Sequence, residues 1–196
     1  DIQMPTFSKL IKNENNDVQV PTFIHFIKND IRYKTPKNQI KYLFSNFGNR
    51  LLPEPYNITH TEHALQTATM AMDNTVNSNK HLIIAALLHD VSLFVDNENL
   101  NEPELGYNLL KYLNLPVNIT EPIRLHIDAK KYLCAINKDY YDKLSDSSKL
   151  SLELQGGIYN EEECVKFLSK KYSEDAIKIR LWNDLSKEKN DITKDT

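Results

Sequence analysis

The sequence predicts an all-α fold, and three observations predict it. Only four glycines occur in 196 residues while Leu, Ile, Lys and Glu abound, a composition that favours helices joined by short loops. Apolar residues recur at spacings of three and four, and residues suited to helix caps stand in front of several of these runs.

The elements follow in order. Thr35-Pro36 pairs a cap with a proline of the first turn, and Ile40, Leu43, Phe44 and Phe47 then share one face until Gly48 stops the helix. The loop at 49–59 holds two prolines. A second helix is expected over residues 61–73, followed by an Asn-rich turn and an apolar helix over about residues 81–92 that should be buried all round. A loop rich in Asp and Asn at 96–101 leads to a helix over 103–114, and Thr120 with Pro122 should open another that carries His126. Residues 145–155 form a helix ended by Gly156-Gly157. Asn160 caps a helix with three glutamates in its first turn, favourable against the macrodipole, and Ser173 caps the last helix. Residues 1–34 form an N-terminal extension of unclear role, weakly alternating and extended near 18–26. A single domain should span 35–188, and the tail 189–196 should fray.

Charge narrows the function. With 24 basic and 27 acidic side chains in both signs and a net charge of −3, there is no electrostatic case for wrapping nucleic acid or lying on an anionic membrane. Cys134 and Cys164 lack CxxC spacing and read as reduced packing thiols, which makes the cytoplasm the default location.

The chemistry is concentrated at a few positions. The apolar run at residues 83–88 ends in His89-Asp90, with His63 upstream and His126 downstream on two further helices. An acid buried beside an imidazole costs several kcal/mol of desolvation unless an ion or a full set of hydrogen bonds meets it. A bound cation is the simplest explanation. His126 and Lys130 share a helix face, as do Arg180, Asn183, Asp184 and Lys187. If those stripes meet the His63 and His89-Asp90 cluster, a metal centre stands beside a cationic pocket suited to anions. His25 and His81 read as surface or loop residues, and His60 is expected to face solvent or loop, with a place behind His63 as the alternative.

His63 followed by His89-Asp90 and a late acidic position resembles the HD-domain superfamily. The segment from Ile123 through His126 and Lys130 to Ala135 is more particular. Together with Glu62-His63-Ala64-Leu65-Gln66, the stretch from Leu144 to Gly157 and Arg180-Leu181-Trp182-Asn183-Asp184, it resembles the mixed-valent di-iron oxygenases of organophosphonate catabolism over roughly residues 39–188. The resemblance implies an HD-domain helical bundle. It implies that His63, His89 and Asp90 bind a first iron, that Asp90 bridges to a second held by His126, and that Lys130, Ser148, Ser151 and Arg180 hold the substrate phosphonate. A dianion needs cations and hydroxyl donors, so those residue types make physical sense by themselves.

The chain departs from the family pattern at the metal. The second-iron histidine of the family falls on Glu102, or on Asn101 if the loop shifts by one, and its last aspartate falls on Asn183, with Asp184 one step on. A family histidine that contacts substrate is Leu93 here, and Pro53 and Tyr56 stand where a tyrosine and a glutamate precede the first ligand. The ligand set is either rewired through Glu102, Asp184 or Tyr56, or decayed. The leading expectation is a non-haem iron oxygenase, with one or two irons or another divalent metal. It would use dioxygen to cleave a small hydroxylated phosphonate or similar anion into phosphate and a carboxylic acid. The alternatives are a catalytically degenerate binding or scaffold module, and a metal-dependent phosphohydrolase.

Overall fold

The computed structural model describes residues 10–12, 19–21, 28–52, 56–75, 79–94 and 102–186, and within them the protein is a bundle of α-helices. Leu10–Lys12 (β1) and Gln19–Pro21 (β2) pair as a short antiparallel ribbon. The helices are α1 (Pro36–Phe47), α2 (His60–Asn74), α3 (Lys80–Leu88), α4 (Glu102–Tyr112), α5 (Val117–Ile136), α6 (Lys138–Lys143), α7 (Asp146–Leu154), α8 (Glu161–Leu168) and α9 (Ser173–Leu185). Short 3-10 turns occupy Ile31–Tyr33 and Val91–Phe94.

Local chemistry explains most of the starts. Thr35 accepts from the Asn38 amide and Pro36 holds the first position of α1. Thr59 and Glu62 form a reciprocal capping box on α2, and Asn160 and Glu163 form another on α8, each satisfying two amides that a helix start leaves without partners. Ser145 caps α7, which ends where Gly156 and Gly157 take positive φ of 102° and 78°, a conformation that costs glycine little.

Several boundaries differ from the sequence reading. The apolar helix α3 ends at Leu88, so that His89 and Asp90 lie in a turn, and the apolar run continues as a 3-10 turn. Nor is α3 buried all round, since Ile84 reaches solvent. Thr120 and Pro122 do not open α5. It starts at Val117 after Pro116, and Pro122 lies inside it, where it forgoes a single backbone hydrogen bond near the helix start. Ser173 is the first residue of α9 rather than its cap, and its hydroxyl donates to the Leu168 carbonyl at 3.2 Å. Gly48 keeps right-handed φ of −70°. It is needed because a Cβ there would run into the Thr61 hydroxyl at the start of α2. The short helix α6, capped by Asn137, has no counterpart in the sequence reading. Residues 189–196, expected to fray, lie outside the described residues.

The main core joins Leu43 and Phe47 of α1, Leu82 and Leu88 of α3, Leu109 and Leu110 of α4 and Ile123 of α5, with Ile179 and Trp182 of α9. Smaller cores gather around Phe167 and Leu125, and around Leu144, Leu152 and Cys134. Helix α5 packs against α4, α3 and α9, and α9 packs in turn against α2 and α3. His63, His126, Lys130 and Arg180 sit on these central helices, His89 and Asp90 in the turn after α3, and Ser148 and Ser151 on α7.

Candidate metal centre and anion cavity

Helix α2 brings His63, the turn after α3 brings His89 and Asp90, and α5 brings His126. The three histidines are at most 2% exposed. Asp90 Oδ2 lies 3.4 Å from His63 Nε2 and 3.1 Å from His89 Nε2, and its other oxygen, Oδ1, lies 3.8 Å from His126 Nε2. One carboxylate therefore faces three imidazoles, two through one oxygen and the third through the other. The rings meet edge to face, with centroids 5.1 Å apart for His63 and His89 and 5.7 Å for His89 and His126.

The far nitrogen of each ring is tied down. His89 Nδ1 lies 2.8 Å from the Ala86 carbonyl and His126 Nδ1 2.6 Å from the Ile123 carbonyl. Only a protonated Nδ1 can bond a carbonyl oxygen, so a ring that carries this proton alone turns its Nε2 lone pair toward Asp90. His63 Nδ1 reaches Ser186 Oγ at 3.1 Å, and Ser186 donates to the Asn183 carbonyl and contacts Thr67 Oγ1 at 2.7 Å. Such outer bonds orient metal-binding imidazoles.

Electrostatics agree with this arrangement. Burial pushes His126 down to about 3, so it is neutral at ordinary pH. Burial works against the charge of Asp90, whereas His89 and His63, with a proton on Nε2 donated to it, hold it well below the ordinary carboxylate range, and a cation between them would do the same for neutral rings. Lone pairs facing a carboxylate oxygen repel it unless a cation lies between them. Two ligands about 2.1 Å from one ion stand roughly 3.0–3.4 Å apart, which is the spacing found here. His89 Nε2 and Asn183 Oδ1 are buried without a hydrogen-bond partner among the described residues. The donor set of His63, His89 and Asp90 could thus hold a metal ion.

A cavity of about 180 Å³ opens from Asp90, His126 and Asn183. Lys130, one turn after His126, is 2% exposed and donates to Ser151 Oγ at 2.8 Å. Ser148 lines the cavity beside it, and Arg180 enters from α9. Two buried cations and two hydroxyls therefore face one small space. Leu52, Tyr56, Leu93 and Ile127 add a less polar wall.

The structure thus brings together His63, His89, Asp90 and His126, and places Lys130, Ser148, Ser151, Arg180 and Asn183 around the adjoining cavity. Asp184 is taken up by Arg180 and by Tyr140, whose hydroxyl donates to its Oδ2 at 2.5 Å. Glu102 is the first residue of α4, but its side chain and all of Asn101 lie outside the described residues. His60, expected to face solvent or loop, is instead buried edge-on against Phe94. Ser186, Thr67 and Tyr140 join the site with no signal in the sequence, since each meets a partner distant in the chain. Gln155 has no role in the sequence reading beyond its motif, although it lines the cavity with a buried Oε1 that has no partner among the described residues. The signal available for Gln155 was its place one turn after Ser151.

No family model matches the chain. Among curated proteins it is 35% identical over 170 residues to the hydroxymethylphosphonate dioxygenase of Gimesia maris, covering 80% of this chain and 82% of that protein. It is 33% identical over 163 residues to the [1-hydroxy-2-(trimethylamino)ethyl]phosphonate dioxygenase (glycine-betaine-forming) of Leisingera caerulea, covering 76% and 81% respectively. An uncharacterised protein of Acanthamoeba polyphaga mimivirus is 26% identical over 139 residues, covering 66% of this chain and 63% of its own.

Proposed function

Because this chain belongs to the phosphonate dioxygenase family, we propose that it is an iron-dependent oxygenase of the HD-domain type that cleaves the carbon–phosphorus bond of a short 1-hydroxyphosphonate. One observation carries the reading. A three-imidazole, one-carboxylate cluster opens directly onto a cavity lined by Lys130 and Arg180. His63, His89 and Asp90 would hold a first iron. The second oxygen of Asp90 and His126 would serve a second, with Glu102 and Asn183 as further oxygen donors. Bound iron supplies the one-electron chemistry that lets dioxygen react with a closed-shell substrate.

The remaining work belongs to the side chains. Lys130 and Arg180 neutralise the phosphonate dianion while Ser148 offers a hydroxyl donor and Ser151, whose own proton goes to the Ser148 carbonyl, holds Lys130 in place. Held there, the carbon that bears phosphorus lies toward the Asp90 end of the cavity, so that position and orientation are set before reaction. The volume of about 180 Å³ suits a substrate of few heavy atoms. For hydroxymethylphosphonate the balance closes without another reductant: substrate and dioxygen give formate and phosphate, with both atoms of dioxygen in the products.

The test is oxygen uptake and phosphate release by iron-loaded protein with hydroxymethylphosphonate. One phosphate per dioxygen is expected, with none under argon. Equal phosphate release under argon would mean hydrolysis, and an iron-loaded protein inert to a panel of 1-hydroxyphosphonates would leave a binding module.

A further inference from the structure

Arg180 is 3% exposed, and a guanidinium so deep in a protein needs its donors met. Its Nε donates to Asp184 Oδ2 at 2.9 Å and to the Tyr140 hydroxyl at 3.2 Å, and its Nη2 pairs with Asp184 Oδ1. Tyr140 in turn donates to Asp184 at 2.5 Å. One edge of the guanidinium is thereby occupied by a two-toothed carboxylate, which fixes its plane. Nη1 is the nitrogen left without a partner among the described residues, on a side chain that lines the cavity. Burial alone would lower the Arg180 pKa and favour loss of its charge, but Asp184 and Tyr140 outweigh that and raise it. The three groups come from two places in the chain: Tyr140 from α6, and Arg180 and Asp184 one turn apart on α9.

We propose that Tyr140 and Asp184 are positioning residues that hold Arg180 rigid so that its remaining edge receives the anionic head of the substrate. The proposal rests on the phosphonate reading of the cavity. An arginine already locked in the bound geometry loses little side-chain freedom when the anion arrives. Lys130, a point charge held by Ser151, attracts the anion, whereas the clamped fork of Arg180 sets its angle. Asp184 thus has work other than metal binding, although it neighbours Asn183.

The test uses iron-loaded protein under argon, with hydroxymethylphosphonate and inorganic phosphate titrated by calorimetry, followed by aerobic kinetics. Tyr140→Phe should weaken binding of both anions by about three- to tenfold, the net worth of one ordinary hydrogen bond, because the lost bond acts on the anion only through Arg180. It should raise KM by a similar factor while kcat and iron content stay at the wild-type level. Asp184→Asn should act in the same direction and more strongly. If it does not fold, Tyr140→Phe carries the test. In an Arg180→Lys background, which has no fork to hold, Tyr140→Phe should change little further. Wild-type affinity in Tyr140→Phe, or iron loss with unchanged anion affinity in Asp184→Asn, overturns the clamp. If wild type turns over and the variants bind normally, the clamp fails and the phosphonate reading stands. If wild type binds phosphate but turns nothing over while the variants lose phosphate, the clamp stands alone.

Discussion

Asn183 is the residue at which this candidate metal centre most invites change. It is 2% exposed, its Oδ1 has no hydrogen-bond partner among the described residues, and it lines the cavity with Asp90 and His126. A buried carbonyl oxygen left unpaired costs about 1–3 kcal/mol, which a nearby cation would offset. A neutral amide oxygen is a weaker partner for such a cation than a carboxylate. Asn183→Asp should therefore bind ferrous iron several-fold more tightly, read as iron retained after dialysis against a graded series of a chelator. Retention equal to wild type would show that position 183 does not face the ion. The backbone supports the substitution, because the Asn183 carbonyl already accepts from Ser186, whose hydroxyl also meets His63.

At the level of elements, α2 depends on its capping box for the angle at which it delivers His63. The Glu62 amide donates to Thr59 Oγ1 at 3.1 Å and the Thr59 amide to Glu62 Oε2 at 2.7 Å, and Thr59 also pairs with Leu51 across the preceding loop. Thr59→Ala should cost about 1 kcal/mol, seen as a lower urea midpoint with an unchanged slope. A midpoint within error of wild type would mean that the Leu51 pairing alone sets the start of α2. Boundaries of this kind were legible in the sequence because they depend on residues three or four apart, as at Thr35, Asn160 and Gly156. The end of α3 was not, because apolar residues run on past Asp90 and only the tertiary packing of Val91 and Phe94 turns the chain into a 3-10 turn. Pro122 misled for a similar reason: packing of α5 against α3, α4 and α9 tolerates the one lost hydrogen bond. The same distinction holds for the site. His63, His89-Asp90, His126 and Lys130 could be picked out from residue type and helical spacing. Ser186, Thr67 and Tyr140 act on partners distant in the chain, which no local pattern reveals.

For the whole molecule, the candidate ligands lie where α2, the turn after α3 and α5 meet, with α9 packed over them, so an ion there ties together the helices that carry the main core. An ion bound only by the folded state stabilises it by mass action, by about 2.7 kcal/mol when its free concentration is a hundredfold above Kd. For a chain of this length each kcal/mol moves Tm by roughly 2–4 °C. Chelation should therefore lower Tm by about 5–10 °C, and readdition of ferrous iron under argon should restore it. His63→Ala removes one ligand and with it the outer tie to Ser186, so its Tm should lie near that of the chelated wild type and respond little to chelator or iron. Scanning calorimetry of the four samples decides the matter. Identical transitions for loaded and chelated wild type would mean that no ion joins these helices, and would leave Asp90 satisfied by its three histidines alone.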